Sequence, residues 1–433
     1  MDINDYRKNL EWIPRNHELI KNYVDLTILD KISDNELKKN IDLQVISSEP
    51  RNWKPHNEAS VVFLVQNKEF TPTNRVGLPR EHVTNRIELF FQSLHLLLEN
   101  KPTREFFDIH VFHENDLTEK IISKTRQIVS PYENINIVFH AIQFMVPLWI
   151  SETKIKKSIH SYRITKPKLA WRDIGYRHMC RFYSFQVFYF LLKHRYKKMM
   201  RLDDDSFIME SIPQLFQNMK DNVKYICRLT QVETEDYSEY FTFFTNLYCQ
   251  NSLQKKLTEQ DFQTSPFNNF FILDLSIYQD NRVRQYLSFI DLIGGIYSRR
   301  WGDAIVQNAL LRLSGREIFL MMNFQYSKWG IVYEKKKISL YNDNQQLKKK
   351  KKDEKSFNTT DDDYMMHYHY ENNNDDEEKA QDILIPLSSY KEDFFIMNPI
   401  QTFPPENMTK SIYIWCSFLI LILILFMFYL FNS

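Results

Sequence analysis

The segment "MMRLDDDSFI", residues 199–208, places three consecutive aspartates directly after a short apolar run. With the two lysines that precede it, the run has the length and composition of a β-strand over residues 197–202. Ligands of open α/β sheets bind outside the carboxyl ends of the strands. The segment therefore predicts either a solvated acidic turn or a set of carboxylates that hold a metal ion.

Asp203 and Asp205 are the candidate metal ligands in this segment. If the chain stays extended after the strand, alternate side chains point to the same side, and Asp204 points away. A hard divalent cation is commonly held by one or two carboxylates together with substrate phosphates. Nucleotide-sugar transferases use an Asp-x-Asp pattern in this way, because the cation neutralises charge that develops on the leaving diphosphate.

Strand and helix patterns alternate on both sides of this segment, which predicts an α/β fold with a largely parallel sheet covered by helices. Residues 82–100 show the apolar spacing of a helix, with Ile87, Phe91, Leu94 and Leu98 on one face. Residues 176–196 and 282–293 also read as helices. The further predicted strands are "SVVFLVQ" (60–66), "FFDIHVFHE" (106–114), "INIVFHAI" (135–142) and "NNFFILDLSIY" (268–278).

Composition narrows the class of protein and its organisation. The formal net charge of +1 over 433 residues gives no electrostatic case for binding nucleic acid. Residues 1–55 form a polar N-terminal segment in which residues 16–32 fit an amphipathic helix, and residues 56–334 form the main domain. Residues 335–410 are charged and of low complexity, which predicts a disordered linker because too little apolar surface is available for burial.

The segment "SIYIWCSFLILILILFMFYLFNS", residues 411–433, carries no charged residue. About 20 apolar residues in a helix span the hydrocarbon core of a bilayer. We therefore expect a transmembrane helix over residues 411–431 and a single-pass protein with a C-terminal anchor. The first residues of the chain have no apolar core of the signal-peptide type, so no signal peptide is expected there.

Four motifs follow one another in a specific order: "YRHMCRF" (176–182), "RLDD" (201–204), "NFFILDL" (269–275) and "GGIYSRRWGDAIV" (294–306). Over about residues 58–330, this set resembles glycosyltransferase family 15, the Kre2/Mnt1-type α-1,2-mannosyltransferases. That family carries a near-identical first motif, R-V-E-P at the second, N-F-E-I-x-D-L at the third and G-G-F-Y-x-E-R-W-G-D-A at the fourth. The resemblance implies a GT-A-type fold with a Rossmann-like nucleotide-binding half.

The same resemblance implies a function in protein glycosylation. The expected reaction moves mannose from GDP-mannose to the 2-hydroxyl of a mannose in a glycan acceptor, with retention of the α configuration and with Mn²⁺ or another divalent cation. It also implies a Golgi or ER membrane. Family members usually have an N-terminal anchor that places the domain in the lumen, whereas a C-terminal anchor normally leaves the domain in the cytosol. The side that the domain faces therefore stays open.

Four residues of the matching motifs acquire expected roles through the resemblance. Tyr176 matches a tyrosine of the family site, and Asp303 matches an aspartate that positions the sugar or the acceptor. Arg177 and Arg181 either hold the donor phosphates or belong to the structural core, because a charged residue in an apolar helix rarely lacks a partner.

The chain departs from the family pattern at several positions. Asp203 keeps the carboxylate of the family's metal-motif glutamate, but Asp204 stands where the family has proline. Phe271 replaces the candidate nucleophilic glutamate of N-F-E-I. Lys328 stands near the family's metal-binding histidine, and it can contact a diphosphate directly. Gln66 replaces an arginine after the first strand, and we count it with Lys328 among the candidate donor-binding residues.

Two functional hypotheses remain after these departures. The chain is an active transferase whose leaving phosphate assists the incoming hydroxyl, a route that needs no protein nucleophile. Alternatively, it is an inactive family member that binds nucleotide sugar or glycan, or that partners an active transferase. A transferase with another sugar or acceptor is a further variant of the first hypothesis.

Overall fold

The structure is a computed structural model, and its description here covers only part of the chain. The described residues are 1–70, 84–165, 173–212, 214–219, 223–228, 230–232, 240–252, 256–262, 264–299, 301–315, 317–320, 324 and 326–328. The predicted linker at 335–410 and the predicted transmembrane helix at 411–431 lie outside these residues. Within the described part of the chain, no helix combines the length and the apolar character needed to cross a membrane.

The strands of the described residues are numbered in chain order. They are β1 (Gln44–Glu49), β2 (Ala59–Leu64), β3 (Glu69–Phe70), β4 (Thr84–Asn85), β5 (Asp108–His113), β6 (Asn136–Gln143), β7 (Lys198–Leu202), β8 (Ser206–Ile208), β9 (Val223–Cys227), β10 (Thr230–Val232), β11 (Thr264–Pro266), β12 (Phe270–Asp274), β13 (Glu317–Leu320) and β14 (Tyr326–Lys328).

The α-helices of the described residues are numbered in the same way. They are α1 (Ile3–Leu10), α2 (Glu18–Lys21), α3 (Asp34–Ile41), α4 (Arg86–Asn100), α5 (Glu119–Val129), α6 (Glu152–Thr165), α7 (Ile174–Arg181), α8 (Val187–Lys193), α9 (Phe241–Asn251), α10 (Asn281–Leu292), α11 (Gly295–Ser298) and α12 (Asp303–Ser314). A π-helical turn, Phe182–Gln186, joins α7 to α8, so that residues 174–193 form one continuous helical segment.

Eight strands form the central sheet of the described residues, in the order β1-β6-β5-β2-β7-β12-β9-β13. The strands β6, β5, β2 and β7 pair in parallel, as the alternation of strand and helix patterns predicts. The sheet is nevertheless mixed, because β12 runs antiparallel to both β7 and β9, and β1 runs antiparallel to β6. The strands β9 and β13 also pair in parallel and run in the same direction as β7, so that only β12 and β1 oppose the other six strands. The expectation of a largely parallel sheet is therefore confirmed for six of the eight strands.

The helix α4 shows how the apolar pattern produces the packing. Its N-cap residue Asn85 accepts a hydrogen bond from the backbone N–H of Ile87 at 2.8 Å. Phe90, Leu94 and Leu97 are fully buried in the core that α4 shares with the sheet. Burial of each such side chain contributes about 1.5–3 kcal/mol before the cost of ordering it. Because its apolar residues share one face, α4 packs that face against the sheet, and this sets the rotation of the helix about its own axis.

The N-terminal residues are integrated with the rest of the domain. The strand β1 forms an edge of the central sheet. In α1, the hydroxyl of Tyr6 donates to Asp291 of α10 at 2.8 Å. The single amphipathic helix predicted for residues 16–32 is wrong. That region instead holds α2 and a 3₁₀ helix, Leu26–Asp30, separated by an isolated bridge between Val24 and Ile150.

Candidate functional site

The three aspartates follow β7 directly, as the sequence predicts, but the chain does not stay extended. The backbone N–H of Ser206 donates to the carbonyl oxygen of Asp203 at 3.0 Å, which is the closing bond of a β-turn. Asp204 and Asp205 are the two central residues of this turn. The alternation argument, in which Asp203 and Asp205 share one side of an extended strand, is therefore wrong, and each carboxylate has its own surroundings.

Asp203 is held by Arg201, which lies two residues earlier in β7. The Nε of Arg201 donates to Oδ1 of Asp203 at 2.8 Å, and its Nη1 donates to Oδ2 of Asp303 at 2.5 Å. The Arg201 guanidinium also lies 3.7 Å above the ring centre of Tyr183. Burial lowers the pKa of Arg201, but the two carboxylates outweigh burial and raise that pKa well above its ordinary value. Arg201 therefore joins the acidic turn to the first residue of α12.

Asp204 is 1% exposed and forms an ion pair with Arg86, the first residue of α4. The Nε of Arg86 donates to Oδ2 of Asp204 at 2.8 Å, and Nη2 contacts Oδ1. Burial raises the pKa of Asp204 to about 6. The guanidinium of Arg86 lowers this pKa, but burial and the carboxylate of Asp205 together outweigh it. Asp205 is itself 5% exposed.

Lys328 lies close to the acidic turn along the backbone. The strand β14 pairs with β8, and Lys328 is the partner of Ser206 in this antiparallel register. Ser206 is also the residue whose N–H closes the β-turn. The backbone of residue 328 therefore lies beside the turn. Contact of Lys328 with the donor diphosphate stays a prediction.

Tyr176 lies close to Gly302, the residue before Asp303, although 126 positions separate Tyr176 from Gly302 in the chain. Asp173 caps α7 by accepting a hydrogen bond from the backbone N–H of Tyr176 at 3.3 Å. The hydroxyl of Tyr176 lies 3.9 Å from the position that a Cβ would occupy on Gly302. Asp303 follows Gly302 and is bound by Arg201, so Tyr176 lies beside the start of α12. The catalytic roles of Tyr176 and Asp303 stay predictions.

The two predicted arginines of α7 have different surroundings. Arg181 donates to both carboxylate oxygens of Asp291 at 2.8 Å and to the carbonyl oxygen of Asn40 at 2.9 Å. These contacts tie α7 to α10 and to the N-terminal segment, and they favour the structural-core alternative for Arg181. Arg177 is 1% exposed, and its role as a donor-binding residue stays a prediction.

Gln66 lies just beyond β2, at the same edge of the sheet as the acidic turn, because β2 and β7 are parallel neighbours. Its side-chain amide donates to Oε2 of Glu114 at 3.1 Å. The pair is exposed, so that a ligand can compete for the amide. Donor binding by Gln66 stays a prediction.

Phe271 occupies the position of the family's candidate nucleophile and is fully buried. Its ring stacks on Tyr225 at 5.1 Å between ring centres and lies 6.3 Å from Phe188. In the β7–β12 register Phe271 is paired with Arg201, and paired residues project from the same face of a sheet. The position is therefore filled by an aromatic stack beside the site arginine.

Three residues with clear roles in this site were missed by the sequence reasoning. Arg201 could have been found as an arginine inside an apolar strand, since such a residue needs a buried partner. Arg86 occupies the first turn of α4, where the helix dipole disfavours a cation, and this is also a signal for a tertiary partner. Asn268 donates to Oδ2 of Asp303 at 2.6 Å, and nothing in the sequence marks it.

The charge of the cluster suits a cation. It contains four carboxylates and two guanidinium groups: Asp203, Asp204, Asp205, Asp303, Arg86 and Arg201. At pH 7 these groups leave a formal surplus of two negative charges in a largely buried region. Carboxylate oxygens are the ligands that Mn²⁺ and Mg²⁺ prefer, and one or two of them with substrate phosphates is a common arrangement. Among the described residues, no group of three or more His, Cys, Asp or Glu side chains is arranged to hold a metal ion.

The fold is shared with solved glycosyltransferases. Ktr4p from Saccharomyces cerevisiae, a mannosyltransferase in complex with GDP, superposes with a TM-score of 0.52 at 17% identity, over 76% of this chain and 86% of that one. The Mn/GDP form of core-mannan synthase A from Aspergillus fumigatus gives a TM-score of 0.51 at 16% identity, over 63% of this chain and 74% of that one. The mixed sheet and its helices therefore define a GT-A-type glycosyltransferase fold.

The chain belongs to the glycolipid 2-alpha-mannosyltransferase family, glycosyltransferase family 15, whose family model matches residues 17–374. This confirms the resemblance drawn from the four motifs. The probable mannosyltransferase KTR3 of Saccharomyces cerevisiae is 27% identical over 218 residues, which are 46% of this chain and 53% of that protein. The glycolipid 2-alpha-mannosyltransferase of the same yeast is 24% identical over 267 residues, 58% of this chain and 55% of that protein. The chain thus spans about half the length of these curated relatives.

Proposed function

We propose that this protein is a retaining α-1,2-mannosyltransferase that moves mannose from GDP-mannose to a mannose hydroxyl of a glycan acceptor, in protein glycosylation. Membership of the mannosyltransferase family supports the reaction class. The single observation that carries the proposal is the buried Arg201, which holds a carboxylate of the metal motif and the predicted sugar-positioning Asp303 in one array.

The residues around Asp303 are suited to orient a sugar. Arg201 and Asn268 both donate to Oδ2 of Asp303, and these two bonds fix the plane of the carboxylate. Its Oδ1 then lies in a defined direction to accept a hydrogen bond from a sugar hydroxyl. The Tyr176 hydroxyl beside Gly302 provides a second polar group for the same sugar. Such fixed positions lower the barrier because the reacting groups are aligned before reaction.

Asp203 and Asp205 would hold a divalent cation, Mn²⁺ by analogy with the Mn/GDP form of core-mannan synthase A. When bound, the cation supplies positive charge that stabilises the leaving nucleoside diphosphate. Lys328, whose backbone pairs with that of Ser206, is the proposed cationic contact of the diphosphate. Arg177 and Gln66 are the remaining proposed contacts of the donor.

If the protein is active, Phe271 requires a route without a protein nucleophile at this position. Phenylalanine cannot attack an anomeric carbon, and it has no negative charge with which to stabilise developing positive charge there. In such a front-side route the bond between the anomeric carbon and the leaving phosphate oxygen breaks, while the acceptor oxygen forms a bond on the same face. The acceptor hydroxyl proton passes to the departing phosphate oxygen. The configuration is retained, and no protein nucleophile is needed.

We further propose that residues 411–431 anchor the protein in a Golgi or ER membrane as a single-pass C-terminal span. The uncharged sequence of that segment supports an anchor. Protease protection of the catalytic domain in sealed vesicles tests which side of the membrane it faces.

A second function is favoured by one observation. The aromatic stack of Phe271 with Tyr225 resembles a structural core more than a reaction centre. This favours an inactive family member that binds nucleotide sugar or glycan, or that partners an active transferase.

The full-length protein in detergent, supplied with GDP-mannose, Mn²⁺ and α-methyl mannoside, separates these functions. The proposed enzyme releases GDP in an acceptor-dependent manner, and the disaccharide product carries an α-1,2 linkage. Binding of GDP without its release supports the inactive family member. If the protein neither binds nor releases GDP, both the transferase and the binding of nucleotide sugar are contradicted, and only a role in glycan binding or as a partner of another transferase is left.

A further inference from the structure

The helix α4 carries three polar side chains at intervals of seven residues: Arg86, Ser93 and Asn100. Seven residues are close to two turns of an α-helix, so these side chains share one face. All three donate hydrogen bonds to the short segment that follows β7, residues 203–208. We call these three residues the polar stripe of α4.

Two members of the polar stripe hold the backbone of this segment. The hydroxyl of Ser93 donates to the carbonyl oxygen of Ser206 at 2.6 Å, and it lies 3.4 Å from that of Asp203. The side-chain amide of Asn100 donates to the carbonyl oxygen of Ile208 at 2.9 Å. Both ends of the β-turn and the following strand are therefore fixed against α4.

Arg86 is the third member, and it holds the side chain of Asp204 through two parallel hydrogen bonds. Bidentate pairs of this kind fix orientation as well as distance. Asp204 is 1% exposed, and burial of a carboxylate is costly unless it is paired. Arg86 also reduces the repulsion among the three adjacent carboxylates of the turn.

Residue 204 occupies a position of the β-turn at which backbone rigidity can also come from a proline. Asp204 is the second residue of the β-turn, a position at which proline presets the backbone because its φ is fixed. The turn is closed by the N–H of Ser206, and a proline ring at 204 leaves that donor in place.

We propose that Arg86 is a positioning residue: through Asp204 it rigidifies the turn that presents Asp203 and Asp205 to the cation of the donor diphosphate. The ion pair gives this turn the rigidity that a proline at its second position would give. This inference rests on the proposed function, because it concerns how the same site is built.

The test measures binding of Mn²⁺ to the full-length protein with GDP, by electron paramagnetic resonance of free Mn²⁺, alongside thermal unfolding. Arg86→Met weakens Mn²⁺ binding by about tenfold or more, because the turn that carries the two ligands loses its support; losses of this size follow removal of the outer contacts of metal sites. Asp204→Asn, which keeps the shape of the side chain, has a smaller effect in the same direction, and Arg86→Lys restores part of the loss. The double variant Arg86→Met/Asp204→Pro returns Mn²⁺ affinity to within about threefold of the unmodified protein, since proline again presets the turn.

Arg126→Met is the matched control, because it removes an arginine–carboxylate pair with Glu49 at 2.9 Å on another helix, α5. That variant leaves Mn²⁺ affinity unchanged. If Arg86→Met lowers only the unfolding temperature and Mn²⁺ affinity stays constant, Arg86 is merely structural and the inference is overturned. Failure of Asp204→Pro to restore affinity in the double variant also overturns it. If the unmodified protein takes up neither Mn²⁺ nor GDP, the proposed function itself fails, which is a distinguishable result.

Discussion

Arg201 lies between the carboxylates of Asp203 and Asp303 and donates a hydrogen bond to each, although the two aspartates are 100 positions apart in the chain. Arg201 is 4% exposed, so both interactions are made away from solvent. Buried charges of this kind are strongly coupled to their partners. One side chain therefore links the predicted metal motif to the predicted sugar-positioning residue.

Substitution Arg201→Lys keeps the positive charge but removes the planar fork that reaches both carboxylates. We expect GDP release to fall by about 100-fold or more, since Asp203 and Asp303 are no longer aligned with each other. The measurement is the acceptor-dependent rate of GDP release with the unfolding temperature recorded in parallel. Retention of more than half of the rate would show that the bridge is dispensable.

Substitution Phe271→Glu reintroduces the carboxylate of the family motif at a fully buried position. We expect no gain in GDP release, because the front-side route does not use this residue. We also expect the free energy of unfolding to fall by roughly 2 kcal/mol or more, because the variant buries a carboxylate. Phe271→Leu is the apolar control and retains most of the activity. A tenfold gain with Phe271→Glu would contradict the front-side route and identify the wild-type site as impaired at this position alone.

Arg181→Met separates a structural role from donor binding. Removal of one partner of a buried ion pair leaves the other charge uncompensated, so we expect the free energy of unfolding to drop by about 3–5 kcal/mol. The affinity for GDP, measured by calorimetry below the unfolding temperature, stays within about twofold of wild type if Arg181 belongs to the core. A tenfold loss of GDP affinity without loss of stability would establish Arg181 as a donor contact.

A buried histidine pair predicts acid sensitivity. Nδ1 of His110 and Nε2 of His140 share a hydrogen bond of 2.8 Å, and Ser48 bonds the other side of His140 at 2.9 Å. Burial, with a smaller effect of His194, lowers the pKa of His110 to about 3, and burial likewise lowers the pKa of His140.

The folded state thus binds fewer protons than the unfolded state between about pH 3 and the unfolded histidine pKa near 6.5. Stability is therefore fully present above pH 6.5 and is lost as the pH falls, by about 2 kcal/mol at pH 5 for one such histidine. Unfolding in denaturant at pH 7.5, 6, 5 and 4.5 measures this slope. His110→Phe flattens it, whereas the exposed His95→Gln does not. Equal slopes in all three proteins would exclude the pair as the cause.

Local patterns were sufficient to predict much of the secondary structure. The strand at β7, the helix α4 and the turn at Gly294, whose φ is +67°, follow from apolar spacing and glycine use. Each is set by residues that are neighbours in the chain. The four motifs likewise place Tyr176 and Asp303 in one family site before any coordinates are considered.

Features that depend on tertiary partners escaped the sequence reasoning. Asp204 meets Arg86 across 118 positions of the chain, and no local pattern encodes that pair. Three consecutive aspartates are compatible both with an extended chain and with the turn that the structure shows at residues 203–206, so the sequence alone does not distinguish the two. Residues 16–32 have a helical apolar pattern, but contacts such as the bridge from Val24 to Ile150 divide the segment.

The central claim is that Asp203 and Asp205 hold the cation that binds the donor diphosphate. Calorimetric titration of GDP into the full-length protein, with Mn²⁺ and then with a chelator, tests it most directly. We predict that Mn²⁺ strengthens GDP binding by about tenfold or more. The double variant Asp203→Asn/Asp205→Asn abolishes this dependence on Mn²⁺. The control variant Glu99→Gln, at an exposed position, preserves it. GDP binding that is indifferent to Mn²⁺ in the unmodified protein, or a dependence that survives in the double variant, would contradict the claim.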